Sequence, residues 1–238
     1  MPSVAYILAD QERMSRARNY FHWQRDLVLR ELGRRVIEVG CGLGNFTRFL
    51  LDRELVVAVD FERECVDRVR ARFPRQPGLE TFAWDAADTG FRSLESFSPD
   101  SCVCLNVLEH IEDDRAALAN MAAVLPAGGK AVIMVPAHQA LYGPIDRHLR
   151  HFRRYTKRLL LERALEAGFA VEKLHYMNLA GFFAWWANAR VFQREEQSAA
   201  QIALFDDWIV PPMRRLESII APPFGQSLFA VLRKRPVQ

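Results

Sequence analysis

Short apolar runs rich in β-branched residues recur along the first part of the chain, at residues 36–39, 55–59, 79–84, 101–105 and 130–135, followed in turn by Gly40, Asp60, Asp85, Asn106 and Pro136. Runs of this length without polar alternation predict strands covered on both faces. Between them, residues 62–73 and 113–124 place apolar side chains at helical spacing, and Pro74, Pro77 and Gly78, then Gly128 and Gly129, mark the exits. Four β–α alternations with short connections predict a parallel sheet. Upstream, Met14, Tyr20, Trp23, Leu27 and Leu32 predict one amphipathic helix over residues 10–32, ending at Gly33. Downstream, the pattern predicts a helix over 157–167, a sixth strand over 169–176 and a last strand over 227–233. The roughly fifty residues between those two strands exceed a normal loop, so residues 177–226 must hold helices. Phe182, Phe183, Trp185, Trp186, Val191 and Phe192 mark a first one, and Pro211 and Pro212 introduce a second that runs to Ile220.

A chain of 238 residues with half of its residues hydrophobic can bury one α/β core with elaborations. The expected organisation is one domain, with an N-terminal helical cap over 1–33, a core over 34–176, a helical insertion over 177–226 and the last strand in 227–238. With 32 basic and 29 acidic side chains, the net charge of +3 gives no general attraction to nucleic acid, and no basic module is appended. Cys41, Cys65, Cys102 and Cys104 show no C-x-x-C spacing and suit a reducing cytoplasm. The N-terminus lacks a signal-peptide pattern, and the uncharged stretch 176–189 is shorter than the roughly 20 residues of a spanning helix.

The chemistry is concentrated at strand ends. Glu38 interrupts the first apolar run just before Gly40-Cys41-Gly42-Leu43-Gly44, where a loop without side chains lets backbone approach a ligand. A helix is expected over 45–52, with its free N–H groups facing that ligand. Asp60 closes the second strand, 20 residues beyond Gly40, at the place where an acid accepts from ribose hydroxyls in nucleotide sites. Asp85 closes the third and could accept from an exocyclic amine. Three successive strand-end acids line the ligand crevice of an open α/β sheet, which points to a nucleoside-bearing cofactor. The glycine spacing leaves Asn45 where a dinucleotide fingerprint has its third glycine, and no G-K-[ST] follows to hold a triphosphate.

The series E-V-G-C-G-L-G-N-F-T, Asp60, Trp84-Asp85-Ala86, D-S-C-V-C-L-N-V-L-E-H-I-E-D-D and L-P-A-G-G-K-A-V-I-M-V-P resembles the class I S-adenosylmethionine-dependent methyltransferases of small-molecule type, over roughly residues 34–136. H-F-R-R-Y-T and Glu166-Ala167-Gly168-Phe169 are also similar to members of that superfamily. The resemblance implies a doubly wound, mainly parallel seven-stranded sheet of Rossmann-like type, whose last strand runs antiparallel beside the fifth. It implies S-adenosyl-L-methionine as cofactor and S-adenosyl-L-homocysteine as product. Glu38, Gly40, Cys41, Gly42 and Gly44 would then hold the methionine portion, Asp60 the ribose, Phe61, Asp85 and Ala86 the adenine, and Asn106 would face the sulfonium. Glu109 and His110 sit in a recurrent L-E-H tripeptide that either takes part in catalysis or fixes the start of the next helix. The implied activity is methyl transfer to O, N or C of a small or lipid-like acceptor. The competing reading is a non-catalytic binding or assembly subunit.

Residues 136–156 hold His138, Tyr142, Asp146, His148, His151, Arg153, Arg154 and Tyr155, too polar for core and longer than an ordinary connection. His151 is the candidate general base, with His110 as second catalytic candidate. Arg153 and Arg154 either hold an anionic acceptor or solvate a helix start capped by Thr156. His148 and His151 stand three apart without a Cys or carboxylate set, so no metal site is expected. The aromatic insertion leaves open core packing, an acceptor pocket, peripheral membrane contact and a homodimer contact.

Overall fold

Seven strands form one sheet in the computed structural model, which describes residues 4–236; residues 1–3 and 237–238 of the expected cap and last strand lie outside it. The strands are β1 (Arg35–Val39), β2 (Leu55–Asp60), β3 (Leu79–Ala83), β4 (Ser101–Leu105), β5 (Lys130–Pro136), β6 (Phe169–Met177) and β7 (Ser227–Lys234), in the order β3-β2-β1-β4-β5-β7-β6. All pairings from β3 to β5 are parallel, and β7 runs antiparallel to both of its neighbours. This is the mainly parallel Rossmann-like sheet with an antiparallel last strand that the motifs implied. The order reverses between β1 and β4, the place where a crevice opens at the carboxyl ends of the strands.

Alternate side chains of each central strand enter different layers. Ile37 and Val39, Cys102 and Cys104, Ile133 and Val135, and Leu228 and Ala230 pack in one cluster with Leu118, Met121 and Phe91. Val36, Val103, Val132, Met134, Phe229 and Val231 pack in the other, with Trp23, Val28 and Val210. The period of two thus gives the sheet two apolar faces. The first is covered by α4 (Asp114–Val124) and α6 (Lys157–Glu166), numbered after α1 (Val4–Met14), α2 (Arg18–Val28) and α3 (Arg63–Arg72) with α5 (Pro144–His148) between them.

The single helix expected over 10–32 is two, because the chain breaks at 15–17 between α1 and α2. Ser15 turns its hydroxyl back onto the Glu12 carbonyl, a local bond that competes with helix continuation. The helix expected over 45–52 is absent; residues 47–49 make one 3₁₀ turn. Thr47 and the aromatic Phe46 and Phe49 favour helix weakly, and the Thr47 hydroxyl is committed to Glu38 at 2.6 Å.

The insertion forms two continuous helical stretches. In the first, α7 (Leu179–Ala187) passes into a π-helical turn, Asn188–Phe192. In the second, α8 (Ala199–Leu204), a π turn Phe205–Ile209 and α9 (Val210–Glu217) run on without interruption. Pro211 and Pro212 have no N–H to donate, and the carbonyls before them are accommodated by the wider turn. Buried Asp206 on that turn accepts from the N–H groups of Asn19 (2.9 Å) and Tyr20 (2.8 Å), the open donors at the start of α2. Glu217 does the same for Asn178 and Leu179 at the start of α7. No helix among the described residues is long and apolar enough to cross a membrane.

Candidate functional site

Glu38 lies on β1 between Ala58 of β2 and Val103 of β4, with its side chain 3% exposed. Burial pushes its carboxyl up to about 8, against the hydrogen bond from Thr47. The chain then turns through Gly40, Gly42 and Gly44, whose φ angles of +78°, +50° and +75° are left-handed. At Gly40 a side chain is also excluded by space, since a Cβ would stand 2.2 Å from Val107 Cγ2.

All five amides of the glycine loop have partners inside the protein. Gly40 and Cys41 donate to the Val59 carbonyl, Gly42 to Asp60 Oδ2 (2.8 Å), Leu43 to Gln11 Oε1 (3.0 Å) and Gly44 to the Cys41 carbonyl. These amides are therefore not free donors; the loop supplies shape and a short approach. Asp60 also accepts from Glu62 N at 2.9 Å through its other oxygen, and each oxygen keeps a lone pair for a further donor. Its carboxyl is raised by burial, with the two backbone bonds opposing. Asp85 is exposed and turned onto Ala87 N (2.8 Å), Ala86 is buried, and Phe61 is 70% exposed at the rim. Asn106, at the end of β4, has φ +54°. Cys41 is buried with its thiol raised by desolvation, so it contributes backbone.

A second group lies at the ends of β4 and β5. The polar segment 136–156 is not a surface loop: Asp146, Arg154 and Tyr155 are at most 2% exposed and His151 is 8% exposed. It is buried because its polar groups satisfy one another. Asp146 accepts from His151 Nδ1 (2.8 Å), Arg154 Nε (2.8 Å) and Gly143 N (2.9 Å). Burial opposes ionisation of Asp146, but His151 and Arg154 outweigh it and hold the carboxyl below its ordinary range. Arg154 also lies 4.7 Å from the Trp185 ring centroid, and Arg153 is tied to Asp114 (3.0 Å) and the Ile111 and Glu112 carbonyls. Both arginines are bonded to the protein's own acceptors, and Arg154 also lines the cavity described below. Thr156 caps α6 by accepting from Leu159 N.

His151 does not pair with His148, which faces Glu195 at 3.5 Å. Its ring stands edge-on to that of His110, with centroids 4.5 Å apart. Phe152 N donates to the Glu109 carbonyl (2.7 Å), which locks the two segments together. Burial drives the His110 imidazole down to about 3 and raises the Glu109 carboxyl to about 7, the latter opposed by His151. Sequence reasoning proposed His110 and His151 separately and missed what brings them together. The one local signal is the spacing Asp146-x-x-x-x-His151, since backbone and side chain of the same pair are both bonded.

One cavity of about 1360 Å³ joins the two groups. It is lined by Glu38, Gly40, Gly42, Asp60, Phe61, Asp85 and Ala86 from the ends of β1–β3, by Glu109 and His110 after β4 and His151 after β5, and by Tyr20, Phe21, Trp185, Ile202 and Phe205 of the cap and insertion. All the predicted site residues except Gly44 line it. Gly44 instead backs onto Phe73, 2.9 Å from where its Cβ would stand.

A family profile described as "Methyltransferase domain" matches residues 10–174 of this chain. The chain belongs to that methyltransferase family. A Mycolicibacterium smegmatis protein named "Probable S-adenosylmethionine-dependent methyltransferase" is 29% identical over 162 residues, covering 65% of this chain and 61% of that protein. An uncharacterized methyltransferase of Mycobacterium tuberculosis is 32% identical over 100 residues, covering 42% and 49%. The chain thus spans less than two thirds of the length of these curated relatives. Among solved structures, the methyltransferase bound to the Trm112 activator of Haloferax volcanii superposes with a TM-score of 0.66 at 20% identity, covering 96% of both chains. The N-methyltransferase NodS of Bradyrhizobium japonicum, solved with S-adenosyl-L-homocysteine, gives 0.57 at 17% identity over 90% and 86%. The name of the Mycolicibacterium smegmatis relative and the product bound in the NodS structure both point to S-adenosyl-L-methionine as the methyl donor of those proteins. The residues present fit it: Glu38 is a buried carboxylate beside a backbone turn without side chains, and Asp60 retains acceptor capacity at the adjoining strand end.

Proposed function

We propose that the protein transfers a methyl group to an O, N or C nucleophile on a small, largely apolar acceptor, with a hydroxyl oxygen favoured. The observation that carries this reading is the single cavity of about 1360 Å³. It exceeds the several hundred Å³ of an ordinary ligand pocket and has room for a cofactor and a second molecule. When bound, S-adenosyl-L-methionine supplies an electrophilic methyl on sulfur and leaves as S-adenosyl-L-homocysteine. Glu38 takes the amino-acid ammonium, Asp60 the ribose hydroxyls, and Phe61, Asp85 and Ala86 the adenine. Asn106, at the end of β4 and lining the same cavity, faces the sulfonium.

Catalysis then rests on position. A nucleophile held about 3 Å from the methyl, in line with the departing sulfur, gains several kcal/mol of effective molarity. Asp146 holds His151 Nδ1, which leaves Nε2 as the nitrogen that takes an acceptor proton. Tyr20, Phe21, Trp185 and Phe205 exclude water and select an apolar body. Four free, buried cysteines support a reducing, cytoplasmic setting. Phe183, Trp186, Trp208, Ile219 and Ile220, exposed on the insertion, support an apolar contact surface there, for a membrane face or a second copy. Nothing in the charge balance supports a nucleic-acid acceptor.

Calorimetric titration with S-adenosyl-L-methionine and S-adenosyl-L-homocysteine tests the reading. A folded preparation that binds neither would sink it and restore the non-catalytic alternative.

A further inference from the structure

We infer that Glu109, His110 and His151 form a binding site for one first-row divalent cation on the floor of the acceptor chamber. One nitrogen of each imidazole and one carboxylate oxygen of Glu109 lie within 4.8 Å of one another. Two imidazoles and one carboxylate are a donor set for Zn²⁺, Mn²⁺, Fe²⁺ or Co²⁺ rather than for Mg²⁺ or Ca²⁺. Donors at about 2.1 Å from a tetrahedral ion stand roughly 3.4 Å apart, a spacing that small side-chain adjustments of this group can reach.

Independent features of the surroundings point the same way. Glu109 is 1% exposed, and its Oε2 is buried without a hydrogen-bond partner. A lone buried carboxylate oxygen is costly unless something cationic or protic meets it. Both histidines are oriented by outer partners. His151 Nδ1 is held by Asp146 at 2.8 Å, and Asp146 is in turn held by Arg154. His110 is hydrogen-bonded to the Leu149 backbone. A carboxylate or a carbonyl on one ring nitrogen is the usual device for presenting the other nitrogen to a metal. The three come from two segments locked by the bond from Phe152 N to the Glu109 carbonyl, so the group is preformed.

Three protein donors leave coordination positions open toward the cavity. The proposal rests on the methyl-transfer reading for its role: an acceptor hydroxyl bound there ionises more readily, releasing its proton to water. The oxygen lone pair then forms the O–CH₃ bond as the C–S bond breaks and its electron pair stays on sulfur. The ion would thus take over from the His151 imidazole the task of activating the hydroxyl.

The test needs neither cofactor nor acceptor. Full-length protein is stripped with chelator and titrated with Co²⁺, followed by the visible d–d bands of the ion, and with Zn²⁺ by calorimetry. One ion per chain is expected, with bands of a four- or five-coordinate site. Glu109→Gln is expected to weaken binding at least tenfold, and Asp146→Asn by about 10–100-fold through loss of the partner that orients His151. His148→Ala, outside the cluster, is expected to leave binding unchanged. Folded wild-type protein without d–d bands overturns the site, as does equal affinity in Glu109→Gln. Should the variants not fold, the wild-type spectrum alone decides. Binding of S-adenosyl-L-homocysteine, measured separately, distinguishes failure of this site from failure of the methyl-transfer reading.

Discussion

Glu38 carries the clearest single-residue consequence. Its carboxyl, raised to about 8 by burial, is largely protonated at neutral pH in the free protein. A cofactor ammonium beside it favours the ionised form, so binding at pH 7 releases up to about one proton. Affinity is expected to rise with pH toward about 8 and then level. Calorimetry in two buffers of different ionisation enthalpy checks this, and a buffer-independent heat would refute it. The same shift has a stability sign. A carboxyl with a raised folded value contributes stability that is fully present below its ordinary 4.5 and is lost as pH rises through about 8. Glu38→Gln should flatten that part of the pH–stability profile of the free protein. Asp60→Ala should weaken cofactor binding and, because Gly42 N and Glu62 N lose their acceptor, also lower stability by about 1–2 kcal/mol in urea unfolding. Unchanged stability would show that water replaces the carboxylate. The acids at strand ends were legible because a period of two and a turn signal place them without knowledge of the rest of the fold. Asp146 was not: its role depends on residues 136–156 folding inward, and its polarity argued for the surface.

At the level of elements, the strands were read to within a residue or so, since β-branched runs between glycines and prolines have few other uses. The helices near the site were read less well. Residues 45–52 come directly after a nucleotide-type glycine loop, yet the Thr47 hydroxyl is bonded to Glu38 and the segment forms only one 3₁₀ turn. Residues 10–32 keep a helical apolar pattern across the break at 15–17, because Met14 of α1 lines the cavity and Trp23 and Val28 of α2 are buried in the core. That break has a partner far along the chain. Asp206 of the insertion satisfies the first two open N–H groups of α2, so cap and insertion act as one element. Asp206→Ala is expected to cost about 1–2 kcal/mol, the range of a lost helix cap. Urea midpoints compared at equal m-value measure it, and a change below a few tenths of a kcal/mol would show that solvent caps α2 instead.

Across the whole molecule, the sheet and the cover differ in kind. The strands from β1 to β5 are joined by parallel ladders and packed on both faces. The roof of the cavity is different: α1 reaches the glycine loop through Gln11, and the insertion reaches α2 through Asp206. Elements that border a cavity on one side open at lower free energy than a core sheet packed on both faces. A ligand that bridges floor and roof must stabilise the roof most, since binding adds its free energy only to states that keep both parts closed. Hydrogen exchange in the presence of S-adenosyl-L-homocysteine should therefore slow in α1, the glycine loop and residues 199–210, while β4 and β5 change little. Gly40→Ala should abolish that protection at the ligand concentration that saturates wild type. Its Cβ would meet Val107 2.2 Å away, at a left-handed φ that alone costs an L residue about 1–2 kcal/mol. Protection confined to the glycine loop, with the insertion unaffected, would mean that residues 199–210 do not close over the cofactor, and the acceptor would then be the molecule that draws the roof down.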